Sequence, residues 1–145
     1  MISCTEFISA YSEGFKYLET VGGRQGLEKF WSYLSDLYLK DTLSKMVAGD
    51  GLEGCYNYWT QALNEEAAEF KMVLDEINGE LRSNMFRCPS KGMLLELKYM
   101  EPHHGYCDHC RALYFPVLER FGYHYEKDLT NCDKAACSGS ITIKK

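Results

Sequence analysis

The stretch His103-His104-Gly105-Tyr106-Cys107-Asp108-His109-Cys110 gathers three of the four histidines and two of the seven cysteines of this chain. Imidazole and thiol are the side chains that serve as nucleophiles, general acids and bases, soft-metal ligands and redox centres. Three chemistries fit the spacing. In the first, Cys107-x-x-Cys110 supplies two zinc ligands, and Cys88, His104, Cys132 or Cys137 would have to complete the shell. In the second, the pair is a redox dithiol, although the strand–helix–strand setting of thioredoxin-like motifs is missing. In the third, one cysteine is a nucleophile in a small-molecule pocket, with a neighbouring histidine as acid or base. A plainer alternative stands beside all three: cysteines packed as small fillers on a helix face, with histidines on loop surface.

Some element must hold these side chains. From Tyr106 onward, Cys107, Cys110, Leu113, Tyr114, Val117, Leu118 and Phe121 recur at helical spacing, and Gly122 supplies a stop. Pro116 inside this run predicts a kink near Ala112, whose carbonyl loses its partner. A helix starting near Tyr106 places Cys107 in its first turn. There the free N–H groups and the positive end of the dipole stabilise a thiolate. Cys110, three residues on, shares that face, so both sulfurs are expected to point inward, where a substrate carboxylate could use the same N–H groups.

The chain around this helix has two unlike parts. Residues 1–66 read as helices, with apolar stripes at Phe7, Ile8, Tyr11, Phe15 and Leu18; at Leu27, Phe30, Trp31, Leu34 and Leu37; at Leu43, Met46 and Val47; and at Leu52, Cys55, Tyr56, Trp59 and Leu63. Gly22-Gly23 and Gly49-Asp50-Gly51 interrupt them. Cys4 and Cys55 lie alone in these segments and read as core. Residues 67–145 read as sheet-containing. The run from Phe70 to Leu81 fits a helix or a strand, and Asn78-Gly79 decides for a two-residue hairpin turn that sets Met72 opposite Met85. Cys88-Pro89-Ser90 closes the second strand, with Ser90 as a cap for a helix through Met93, Leu94, Leu97 and Met100 that breaks at Glu101-Pro102. Tyr123 to Leu129 and Cys137 to Lys144 read as two more strands, with Cys137, Ile141 and Ile143 on the inner face, His124 on the surface and Cys132 in an exposed loop. The expected architecture is one α+β domain over 1–145. Its N-terminal helices precede an antiparallel sheet of about four strands, in two hairpin-like pairs with one or two helices between them.

Composition narrows the function. The net charge is -5, from 16 basic and 21 acidic residues, and no long basic run exists, which argues against a nucleic-acid or anionic-membrane surface. The first ten residues lack the order of a leader, and no apolar run approaches the ~20 residues of a membrane span. With an odd number of cysteines as well, the expected setting is the cytoplasm, with reduced thiols. A small molecule is the expected partner.

Three short segments carry a family resemblance: Phe86-Arg87-Cys88-Pro89, then Tyr106-Cys107-Asp108-His109-Cys110, then Cys137-Ser138-Gly139-Ser140-Ile141. Their order resembles that of the L-2-amino-thiazoline-4-carboxylic acid hydrolase family, small α+β proteins with helices first and a sheet-rich second half. The resemblance implies a hydrolase that opens a cyclic amidine, with Cys88 and Cys107 in the pocket and Cys137 beside them on the last strand. On this reading Cys107 is the reactive thiol, with Cys88, His104 and His109 completing the catalytic set. Tyr106, Cys110, Tyr114 and Cys137 contact substrate. The family often carries an acidic residue three after the middle cysteine; here that position is Cys110. The departure leaves room for a zinc site of Cys88, Cys107, Cys110 and Cys137. Two other classes fit the outline: it is also similar to the small-molecule-binding domains of the vinyl-reductase-like family, and it suits a zinc-stabilised interaction module.

Overall fold

The computed structural model describes the backbone of residues 2–144 and the side chains of residues 7–144, so Cys4 lies outside the described side chains. Helices α1 (Ile2–Tyr38) and α2 (Leu43–Glu65) come first, and one residue in each leaves helical geometry: Gly23 (φ 64°) in α1 and Gly51 (φ 58°) in α2. A side chain at that φ is strained, which is why glycine marks both breaks. Phe15, Leu27, Trp31, Leu43, Val47 and Cys55 are buried as their stripes imply. Phe7 and Leu37, at 72% and 56% exposure, run off the ends of those stripes and stay in solvent.

After the break at Gly51, α2 folds back on its own first part. A Cβ built on Gly54 would overlap the carbonyl of Met46, eight residues earlier. That obstacle is backbone, which cannot rotate away. Gly54→Ala is therefore expected to destabilise the protein by about 2–3 kcal/mol despite alanine's better helix propensity. A thermal melt checks this; a midpoint equal to the parent's would show that the two parts of α2 separate freely.

The second half builds a four-stranded antiparallel sheet from β1 (Glu69–Asp75), β2 (Glu80–Arg87), β3 (Tyr123–Asp128) and β4 (Cys137–Ile143). Its order is β1-β2-β4-β3, so two hairpins join along β2 and β4. Helices α3 (Pro89–Glu96) and α4 (Asp108–Arg120) lie between the hairpins in sequence, and a short 3-10 turn covers Cys132–Lys134. The fold is α+β.

Four local expectations are corrected. Met72 pairs with Ser83, and Phe70 with Met85, a register two residues away from the one Asn78-Gly79 suggested. The Asp75 carboxylate accepts from the Asn78 backbone N–H at 3.0 Å and its side-chain amide at 2.8 Å. Only Gly79 takes a positive φ, so the turn is longer than two residues. A slip of two keeps every side chain on its face, so the inner surface is unchanged. Cys88, rather than Ser90, caps α3: its Sγ accepts the Lys91 N–H at 3.5 Å, and Pro89 takes the first helical position. Helix α3 ends at Glu96, before Glu101-Pro102, because Leu97 already has an extended ψ of 93°. Ile143, 57% exposed, lies against Gly79 at the sheet's end and not in the core.

Two apolar clusters result. One joins the sheet to α2 and α4 through Leu43, Val47, Cys55, Leu81, Val117, Leu118, Tyr125 and Ile141. The other joins α1 to the start of α4 through Phe15, Leu27, Trp31, Leu94 and Tyr106. The N-terminal turn of α4 sits between them.

Candidate functional site

Between α2, α4 and the inner face of the sheet lies a cavity of about 260 Å³. That is close to the lower end for small-molecule pockets. Strand alternation sends Met72 of β1, Leu81 and Ser83 of β2, Tyr125 and Lys127 of β3, and Cys137 and Ile141 of β4 into it. Helix α2 adds Trp59, and α4 adds His109, Cys110 and Tyr114. Cys88 and Ser90 enter from the start of α3, and Glu66 stands at the exposed mouth.

Of the candidates read from the sequence, the cavity collects Cys88, His109, Cys110, Tyr114 and Cys137. It does not collect Cys107, Tyr106 or His104. Cys107 is the residue before α4, and its side chain makes no capping hydrogen bond. It packs against the cluster around Phe15 and Trp31 and does not line the cavity. The expectation of a thiolate there is overturned: burial, with the Cys110 charge adding to it, pushes the Cys107 thiol up to about 12. Desolvation outweighs the helix end because the sulfur does not reach the free N–H groups. Tyr106 is buried in the same cluster. His104 is exposed on the loop.

Inside the cavity the reactive pair is Cys110 and His109. The Cys110 Sγ lies 3.7 Å from His109 Nε2. His109 Nδ1 hydrogen-bonds the Tyr106 carbonyl, which can only accept. That contact fixes the proton on Nδ1 and leaves Nε2 to take the thiol proton. The ring is enclosed by Tyr11, Phe15 and Tyr106, with centroids 5.6, 5.6 and 4.8 Å away. Burial alone would raise the Cys110 thiol, but the His109 charge, its hydrogen bond and the Lys127 ammonium bring it down to about 7, from an ordinary 9.0. Burial pulls His109 down; the Cys110 charge and hydrogen bond and the Tyr106 carbonyl together move it up. Each partner favours the other's charged form. At pH 7 about half of such a thiol is ionised, against about 1% of one titrating at 9. Position helps too, because Cys110 is in the first turn of α4, at the positive end of its dipole.

Lys127 is the cation of this cavity. Burial works against its charge, but Tyr125, Cys110 and Cys137 around it hold the ammonium protonated, well above the lysine range. Sequence reasoning missed it, although a signal existed: Lys127 shares strand parity with Tyr125, whose burial carries the lysine inward. Glu66 was missed as well; burial and the neighbouring Glu65 raise its carboxyl.

Of the remaining histidines, His103 holds the loop, and His124 lies exposed on β3 beside Glu126. His103 is buried; its N–H donates to Ser12 Oγ at 2.8 Å, its Nδ1 accepts from the Gly105 N–H at 3.1 Å, and its Nε2 meets Glu19 at 2.9 Å. Glu19, His103 and His104 are the one group among the described residues whose ligand atoms lie within 4.8 Å of one another. A metal on His103 Nε2 would need a proton on Nδ1, facing another N–H, so this triad suits a hydrogen-bonded anchor better than an ion. No three of the Cys88, Cys107, Cys110 and Cys137 sulfurs come that close, whereas zinc at ~2.3 Å from each sulfur needs them nearly in contact.

A wider, open groove of about 850 Å³ runs along the other side of α4 and β3, lined by charges of both signs, such as Arg24, Glu28, Arg111 and Glu126, and by no thiol. Lys127 and Tyr125 border both spaces. No helix of the described residues is long and apolar enough to cross a membrane. In comparisons with known proteins, no family model, no curated protein and no solved structure matches this chain.

Proposed function

We propose that this protein is a cysteine-dependent hydrolase of a small cyclic amidine, of the aminothiazoline-carboxylate type, acting in a cytoplasmic, reducing setting with Cys110 as nucleophile. The observation that carries the reading is the Cys110–His109 pair inside a small cavity beside the Lys127 ammonium. Lys127 offers a counter-charge for a substrate carboxylate and steadies the thiolate. The Cys110 thiolate adds to the amidine carbon. The ring C–S bond breaks, and His109 passes its Nε2 proton to the departing sulfur, leaving an isothiourea linked to Cys110. Neutral His109 then takes a proton from water as the water adds to the same carbon. The bond to Cys110 breaks, and an open carbamoyl product and the thiolate result.

The test is to mix the protein with 2-aminothiazoline-4-carboxylate, quench early in acid and map the adduct. The expected result is one amidine adduct on the peptide carrying Cys110, which decays as product appears. Turnover with no adduct on any cysteine would remove covalent catalysis, and no turnover would remove the substrate class.

One observation favours a second reading, a non-catalytic small-molecule-binding domain of the vinyl-reductase-like kind. Much of the lining is apolar and aromatic, with Trp59, Phe70, Met72 and Ile141. Binding of an apolar ligand that quenches Trp59 fluorescence, without chemical change to the ligand, would favour it.

A further inference from the structure

The hydrolase reading uses one of the cavity's thiols and leaves two idle. Cys88 and Cys137 are free and face the same space as Cys110. Both line the same cavity of about 260 Å³ that Cys110 lines, and the charge of the Cys110 sulfur acts on each. The two idle thiols differ in setting. Cys137 is fixed within β4, where burial raises its thiol and the Lys127 ammonium opposes that rise. Cys88 stands outside the strands at the start of α3, where burial raises its thiol and the Lys91 N–H, donating to its sulfur at 3.5 Å, opposes that rise. An imidazole that can deliver and accept a proton stands 3.7 Å from the Cys110 sulfur.

We propose that Cys110 is a peroxide-modified site, oxidised to a sulfenic acid that condenses with Cys88 into a disulfide across the cavity. The Cys110 thiolate attacks the proximal oxygen of hydrogen peroxide or an alkyl hydroperoxide. The O–O bond breaks, the S–O bond forms, and His109 protonates the departing oxygen as water or alcohol. Sulfur is oxidised by two electrons and the peroxide is reduced by two. The Cys88 sulfur then attacks the sulfenic sulfur. The S–O bond breaks, the hydroxyl leaves with the Cys88 proton as a second water, and an S–S bond remains. A thiol reductant reverses the change. The bridge fills the space in front of His109, so it would also close the active site under the hydrolase reading. The modification itself does not depend on that reading, and its readout needs no substrate.

The experiment treats the folded, reduced protein with a small excess of hydrogen peroxide, blocks remaining thiols with iodoacetamide, and maps peptides by mass with and without dithiothreitol. The expected result is a loss of two thiols, found as a Cys88–Cys110 linked peptide that dithiothreitol restores. Cys88→Ser is expected to leave a sulfenic acid on Cys110 that dimedone traps. Cys110→Ser is expected to slow thiol loss by about tenfold or more. Circular dichroism establishes that both variants fold. A disulfide from Cys110 to Cys137, oxidation that falls first on Cys132, or a Cys110 that stays reduced and dimedone-silent would each overturn the proposal.

Discussion

Cys110→Ser is expected to lower turnover of the cyclic amidine by about a thousandfold or more, the scale seen when a nucleophile that works as one unit with its base is removed. Cys107→Ser is expected to leave kcat within about twofold, since that side chain packs against the Phe15 cluster and does not face the cavity. The contrast is sharp because the two cysteines share a motif and differ only in setting. One sulfur is held at 3.7 Å by an imidazole and titrates at about 7; the other has its thiol pushed to about 12 by burial. A serine hydroxyl at position 110 keeps nearly the same volume, but His109 cannot ionise it appreciably at neutral pH. Steady-state kinetics on both variants, beside matching melting curves, checks the pair. If Cys107→Ser loses activity while Cys110→Ser keeps it, the helix start and not the cavity holds the nucleophile.

The same pair of cysteines shows how far the sequence could be read. Periodicity placed α4 and put Cys107 and Cys110 near its start. What it could not resolve is which way the side chain points at the residue before a helix and at the third residue within it. Helical spacing treats the two as neighbours on one face. The Cys107 side chain packs into the cluster on α1, while Cys110 lines the cavity on the sheet side. The sheet was legible because its alternation is strict. Tyr125 and Ile141 are opposite one another on the inner face of β3 and β4, as a period of two requires. Hairpin register was less so, since Asn78-Gly79 advertises a two-residue turn and the competing bonds to the Asp75 carboxylate appear only in three dimensions. Lys127 went unread for a related reason. A lysine in a strand is ordinarily a solvent-facing residue, and its inward position depends on the thiols and tyrosine that hold its charge. His103 was drawn into the chemical cluster by sequence proximity alone. Its contacts with Ser12, Glu19 and Gly105 make it the anchor of the loop that delivers His109.

His109→Phe is the substitution with the second largest expected effect. Phenylalanine fits the aromatic surroundings of Tyr11, Phe15 and Tyr106, so the cage is kept while the proton relay is lost. Two consequences separate on a pH axis. In the parent protein the Cys110 thiol is held down to about 7, so its alkylation by iodoacetamide should rise with pH through about 7 and level off above it. Only the thiolate reacts, and a lowered thiol value moves its appearance to lower pH; raising the value moves the curve the other way. Without the imidazole, burial acts with only Lys127 opposing it, and the midpoint should move up toward the ordinary 9.0. At pH 7 this alone predicts an alkylation rate lower by roughly tenfold to fiftyfold. Turnover should fall further, by about a hundredfold to ten-thousandfold, because the group proposed to protonate the leaving sulfur and later activate water is gone as well. High pH discriminates between the two losses. At pH 10 the alkylation rate of the variant should approach that of the parent, since Cys110 is then largely ionised in both, while turnover should stay depressed. Alkylation that keeps its midpoint near 7 in the variant would assign the lowered thiol to Lys127, and full recovery of turnover at high pH would mean that His109 sets the charge of Cys110 without serving as acid.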